Sequence, residues 1–281
     1  MGVSGGVNKR SLRRALLWGL LLVTIACATR RPGDPIRPGF NLFSKEQDIQ
    51  LGREAAAQIS RQLEILDNPA VQDYVRDLGR RLAATPYAGD FPYSFTVVKD
   101  PTINAFALPG GPVFIHTGLI AAADNEAQLA GVMGHEISHV ALRHATNQVS
   151  KANIVRLPAI LASNVIGQGS LLAELGQVGL SLGVNSLLLR YSRQAESEAD
   201  SLGVRIMASV GYNPLELAHF FEKLEADGGS RAPEFLSSHP NPGNRRKNIM
   251  KEVRTLPQRQ YITDKPEFHR IKQMVPNVRS R

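Results

Sequence analysis

The chain has 281 residues, 43% of them hydrophobic and 21% charged, with a formal net charge of +8 that falls to +4 once the four basic residues of positions 1–26 are set aside. One cysteine, Cys27, excludes an internal disulfide and leaves no cysteine to ligate a metal elsewhere. The mild charge, with no nucleic-acid motif and no aromatic interleaving, excludes a nucleic-acid partner; the basic residues near the C-terminus read as a solvated face near anionic lipid at most.

Lys9, Arg10, Arg13 and Arg14 precede an apolar run from Ala15 to Ala26. That charge pattern and length predict a signal peptide over 1–26, since the run is short for a spanning helix. Thr24-Ile25-Ala26-Cys27 resembles a bacterial lipobox, which implies lipidation of Cys27 and a membrane anchor. Ala28 after the cysteine resembles outer-membrane sorting. A cleaved signal with an incidental cysteine and an uncleaved anchor are the alternatives. Residues 27–43, rich in Pro, Gly and Arg, are expected to be a tether, 44–262 one domain, and 263–281 a C-terminal tail.

Helices are predicted over 44–66 and 69–84 and a strand over 93–99. From Phe106 to His116, apolar and small residues flank a Pro-Gly-Gly-Pro interruption, predicting strand, tight turn and strand. Proline suits an edge, so Pro112, Val113, Phe114 and Ile115 are expected to form an edge strand on which an extended peptide adds through backbone bonds. A covered core hairpin is the alternative.

The next helix, predicted over 124–149 with Asp124 as N-cap, carries His135-Glu136-Ile137-Ser138-His139. Positions four apart share a helical face, so His135 and His139 can present two imidazoles to one metal, with Glu136 in reach of a water. Zinc favours such a site. His144 lies five residues beyond His139, which on a continuous helix points it off the metal face. It reads as a partly exposed polar residue at a helix end.

Residues 151–189 carry few charges and many glycines, suiting a lid, a membrane- or partner-facing hairpin, or two core helices. A helix over 191–210 follows. Its Glu196 and Asp200 share a face, with Glu198 pointing roughly opposite. Either carboxylate could complete a two-histidine zinc site, the other accepting a ligand's free ring N–H. A solvated acidic face paired with Arg193 or Arg205 is the plainer reading. Helices are also expected over 214–226 and 243–255, with His239 in a Ser-Ser-His-Pro-Asn-Pro loop between them.

H-E-x-x-H at 135–139, E-S-E-A-D at 196–200, Asn104 to Leu119, and His239-Pro240 with Arg245 resemble, in that order, one family. It is the HtpX-, BepA- and LoiP-like zinc metallopeptidases, with the CaaX prenyl and Oma-type endopeptidases. The resemblance implies an α+β, mainly helical, zincin-like domain with a small β-sheet beside the HExxH helix. It implies one Zn2+ per chain, held by His135, His139 and Glu196, with Glu136 as base and Asp200 behind the ligands. His239 is expected either to block the open metal position at rest or to donate to the oxyanion in turnover, or else to pack as a loop residue. Arg245 is expected to bind a carboxylate or cap its helix. The expected function is cleavage of misfolded or unassembled cell-envelope proteins by an outer-membrane lipoprotein facing the periplasm of a Gram-negative bacterium. The alternative is an adaptor or chaperone that keeps the fold.

Overall fold

Helix starts follow local capping chemistry in the computed structural model, which describes residues 30–154, 191–227 and 234–275. Ser44 opens α1 (Lys45–Ile59) with a capping box: its hydroxyl accepts from Gln47 N–H, and the Gln47 side chain accepts from Ser44 N–H. Asn68 caps α2 (Pro69–Ala83), with Pro69 at a position that needs no N–H. Three strands follow, β1 (Ser94–Val98), β2 (Ala105–Ala107) and β3 (Pro112–His116), then α3 (Thr117–Ala122) and α4 (Glu126–Ala141). The remaining helices are α5 (His144–Ile154), α6 (Arg193–Ser209), α7 (Glu216–Asp227), α8 (Glu234–Ser238), α9 (Arg245–Val253) and α10 (Pro266–Met274). The fold is α+β and mainly helical, as predicted.

The sheet order is β1-β3-β2, with β3 parallel to β1 and antiparallel to β2. This corrects one expectation: Pro112, Val113, Phe114 and Ile115 form the central strand. Pro112 is tolerated because it is the first strand residue, so only one ladder bond is lost. The carbonyl it would have served, on Leu108, accepts instead from Gly111 N–H at 3.4 Å. The edge is β2. Leu108 N–H donates to Pro112 and His116 N–H to Asn104, so the antiparallel alternation turns the N–H and C=O of Ala105 and Ala107 away from β3.

Alternate strand residues enter two cores. Phe95, Val97, Val113 and Ile115 join the main core with α2, α4, α6, α7 and α10, while Val98, Phe106 and Phe114 pack under α1. The β2–β3 turn lies against α1: a Cβ on Gly110, at φ +73°, would stand 2.4 Å from the Ile49 Cα.

Helix α4 is buried from Glu126 to Val140, capped by Asn125 rather than Asp124, and packs most extensively against α6. The predicted helix over 124–149 is two helices, because Arg143 adopts a left-handed φ of 56°. Arg143 is held there by Asp48 at 2.5 Å and the Phe43 carbonyl at 2.6 Å. The end of the expected tether is docked on α5: Asn147 donates to Phe40, Asn41 to Thr146, and Leu42 N–H to Ser150. The expected tail is also corrected. Phe268, Ile271 and Val275 are buried in the main core, so the domain continues through α10.

Among the described residues, no helix is long and apolar enough to cross a membrane. The signal segment, Cys27 and residues 155–189 of the expected lid lie outside the described residues.

Candidate metal centre

Two glycines set the spacing of the site. Gly134 on α4 and Gly203 on α6 meet at the helix crossing, where a Cβ on Gly203 would stand 3.2 Å from the His135 backbone nitrogen. Without side chains there, α6 approaches closely enough to carry Glu196 and Asp200 to the two histidines.

His135, His139, Glu196 and His239 are buried, and one ligand atom from each lies within 4.8 Å of all the others. His135 Nε2 is 3.0 Å from His139 Nε2, 3.3 Å from His239 Nδ1 and 3.4 Å from Glu196 Oε2. Glu196 Oε1 is 3.6 Å from His139 Nε2 and 3.2 Å from His239 Nδ1. A tetrahedral ion bonded at about 2.0–2.1 Å sets its donors about 3.3–3.4 Å apart, so this donor set fits a zinc-sized cation. Burying three imidazoles and a carboxylate in one place is otherwise unfavourable.

The first ligands are held from behind. His135 turns Nδ1 to Asp200 Oδ1 at 3.0 Å. Arg245, at the start of α9, donates from Nε to Asp200 and from Nη2 to Glu196, each at 2.8 Å, with its guanidinium 3.8 Å over the Phe221 ring. Its guanidinium thus joins two buried carboxylates. Burial holds the His139 imidazole well below its ordinary pKa, so it is neutral and free to ligate. Burial also pulls on His135, but Asp200 and Glu196 outweigh it and raise that imidazole to about 9. For Glu196, burial is overcome by His239 and His135, which hold the carboxyl well below its usual range.

Glu136 faces the same space. Burial raises its carboxyl, and the Ala107 N–H on the free edge of β2 supports its charged form. Its Oε1 has no hydrogen-bond partner among the described residues and lies 3.4 Å from His239 Nε2. His239 therefore stands between the cluster and Glu136. It is stacked on Phe235 of α8 at 4.5 Å, and its own N–H donates to the Phe235 carbonyl.

Three residues here were not legible beforehand. Tyr191 stacks on His139 with ring centroids 4.0 Å apart. His144 is buried and 2.9 Å from His139, which corrects its reading as a partly exposed helix-end residue. The helical-wheel argument assumed one continuous helix, whereas the turn at Arg143 brings His144 back. Glu198, expected to point away, reaches His144 at 3.2 Å. The spacing H-x-x-x-x-H was the available signal, with no Gly, Asn or Asp between the histidines to mark the break, and Tyr191 offered none beyond its place before an N-cap.

Comparison with known proteins adds to this geometry. Peptidase family M48 matches residues 69–253. The chain is 32% identical over 208 residues to the beta-barrel assembly-enhancing protease of Escherichia coli (strain K12), covering 71% of this chain and 42% of that protein. It is 32% identical over 189 residues to the mitochondrial metalloendopeptidase OMA1 of Schizosaccharomyces pombe, covering 66% and 53%. It is 35% identical over 161 residues to the mitochondrial metalloendopeptidase OMA1 of Bos taurus, covering 54% and 31%. The matches thus span about half or less of the length of these relatives.

Proposed function

The chain belongs to peptidase family M48, and from that premise we propose a zinc endopeptidase that hydrolyses peptide bonds in unfolded or misassembled cell-envelope proteins. The observation that carries this reading is the convergence of His135, His139 and Glu196 on one point, with Glu136 facing the same space beside the edge strand β2. One Zn2+ held by those three residues would supply Lewis acidity at the scissile carbonyl and a water nucleophile available near neutral pH.

The protein's own groups divide the remaining chemistry. Glu136 takes the proton of the attacking water and delivers it to the leaving amine, a role its burial-raised carboxyl suits. Arg245 and Asp200 keep Glu196 and His135 aimed inward. With the Ala107 N–H turned to Glu136, the outward Ala105 N–H and the carbonyls of Ala105 and Ala107 remain to receive an extended peptide as an added strand, the part first expected of Pro112–Ile115. Recognition through backbone groups favours unfolded segments over any one sequence. His239 occupies the fourth direction and faces Glu136, which supports a resting, closed arrangement that substrate displaces.

The E. coli relative's name refers to β-barrel assembly. Together with the N-terminal charge pattern and Cys27, it supports a periplasm-facing outer-membrane lipoprotein of a Gram-negative bacterium. The closed fourth position also favours a second reading, an adaptor or chaperone in outer-membrane protein assembly that keeps the fold and cuts rarely.

The test is digestion of casein by the zinc-loaded full chain, beside Glu136→Gln and a chelated sample. Cleavage by the wild type alone establishes the peptidase. Absence of cleavage by the zinc-bound wild type and by zinc-bound His239→Ala, in which the closing side chain is gone, turns the assignment to the adaptor.

A further inference from the structure

His139 and His135 are both backed by polar groups, but not by the same kind. His135 meets a carboxylate directly, whereas His139 meets a second imidazole that itself meets a carboxylate. We infer that His144 and Glu198 form a positioning relay that fixes the tautomer and orientation of His139, as Asp200 does for His135.

The distances form one chain. His139 Nδ1 lies 2.9 Å from His144 Nδ1, and His144 Nε2 lies 3.2 Å from Glu198 Oε2. Glu198 Oε1 accepts from Gln194 Nε2 at 2.8 Å, which holds the far end. Hydrogen positions follow from the donor inventory. A His139 that offers the Nε2 lone pair to a metal carries its proton on Nδ1 and must donate it. His144 Nδ1 must then accept, so the His144 proton sits on Nε2 and is donated to Glu198. Only one tautomer of each ring satisfies all these contacts. Tyr191 stacked on the His139 face restrains the ring out of plane, and the relay restrains it in plane.

Backbone geometry shows how the relay is built. The helix carrying His139 stops at Ala141, Arg143 turns left-handed, and His144 opens the next helix facing back. All three carboxylates of Glu196-Ser197-Glu198-Ala199-Asp200 then meet a histidine: Glu196 within the metal cluster, Glu198 at His144 and Asp200 at the far side of His135. The Asp200 side chain is 2% exposed and that of Glu198 28%, so the relay ends where solvent begins.

This inference rests on His139 being a metal ligand. The experiment is zinc affinity of the full chain by competition with a chromophoric chelator, with the Co2+ absorption spectrum and metal-free melting recorded in parallel. The variants are His144→Phe, which removes the acceptor, His144→Asn, which places an amide oxygen near the Nδ1 position, and Glu198→Ala. The expected result is zinc binding about 10–100-fold weaker in His144→Phe, with altered Co2+ bands, and within about threefold of wild type in His144→Asn. His144→Phe within about threefold of wild type, or His144→Asn falling as far as His144→Phe, would overturn the relay. Should His144→Phe fail to fold, Glu198→Ala decides: a loss of about threefold or more supports the relay, and no loss overturns it. A wild-type chain that takes up no zinc or cobalt would instead refute the metal reading itself.

Discussion

Gly203 on α6 lies against the backbone of His135 on α4, with space for a hydrogen and little more: a Cβ there would stand 3.2 Å from the His135 nitrogen and 3.3 Å from its Cα. Both neighbours are main chain, so relief requires a helix to move. Gly203→Ala should therefore separate α4 from α6, cost about 1–3 kcal/mol of stability and weaken zinc binding together. Urea unfolding and chelator competition on the same protein check this. Unchanged zinc affinity would show that the crossing distance does not control the site.

Arg245 compensates two buried carboxylates at once. Arg245→Met should destabilise the metal-free protein by about 3–5 kcal/mol, because Asp200 and Glu196 are then left buried without their cation. Arg245→Lys should recover little, since a single ammonium cannot reproduce the fork that reaches both carboxylates and stacks on Phe221. Chemical denaturation distinguishes the two; full recovery by lysine would mean that charge alone is needed.

His239 closes the cluster on the side of Glu136. In His239→Ala the competent, open arrangement should be populated all the time, so casein cleavage should rise by about tenfold or more. Zinc should also dissociate faster, with one donor fewer. A fall in cleavage with zinc retained would assign His239 instead to stabilising the oxyanion.

Acid stability should depend on Glu216. Burial tends to raise its carboxyl, but hydrogen bonds from Asn125, His219 and Gln128 outweigh this and hold it below the usual range. A folded pKa below the unfolded one contributes stability that is complete above the unfolded value of about 4.3 and is lost as pH falls through the folded value. Melting temperatures followed from about pH 6 down to about pH 2.5 should fall less steeply in Glu216→Gln than in the wild type. Parallel curves would mean the group contributes nothing to the acid limb.

What the sequence by itself determined is local or compositional. The helices predicted from 44 and 69 do start at local caps, Ser44 and Asn68-Pro69, because capping is a contact within one turn, whereas the cap expected at Asp124 falls one residue later, on Asn125. The pairings of His135 with His139 and of Glu196 with Asp200 were legible because a four-residue step on a helix is a fixed geometry. The meeting of those two pairs came from resemblance to a family, since nothing in either segment states its distance from the other.

Only the tertiary structure decided what depends on long-range pairing or on a single dihedral angle. Pro112–Ile115 became the central strand because β1 adds to it from a distance, and a proline at a strand start does not reveal which side is covered. One left-handed residue, Arg143, held by Asp48 and Phe43 from about a hundred positions earlier, reversed the chain and delivered His144 to His139. Periodicity describes a helix only while it continues. Where the next residue goes after the break is set by the packing that holds the turn.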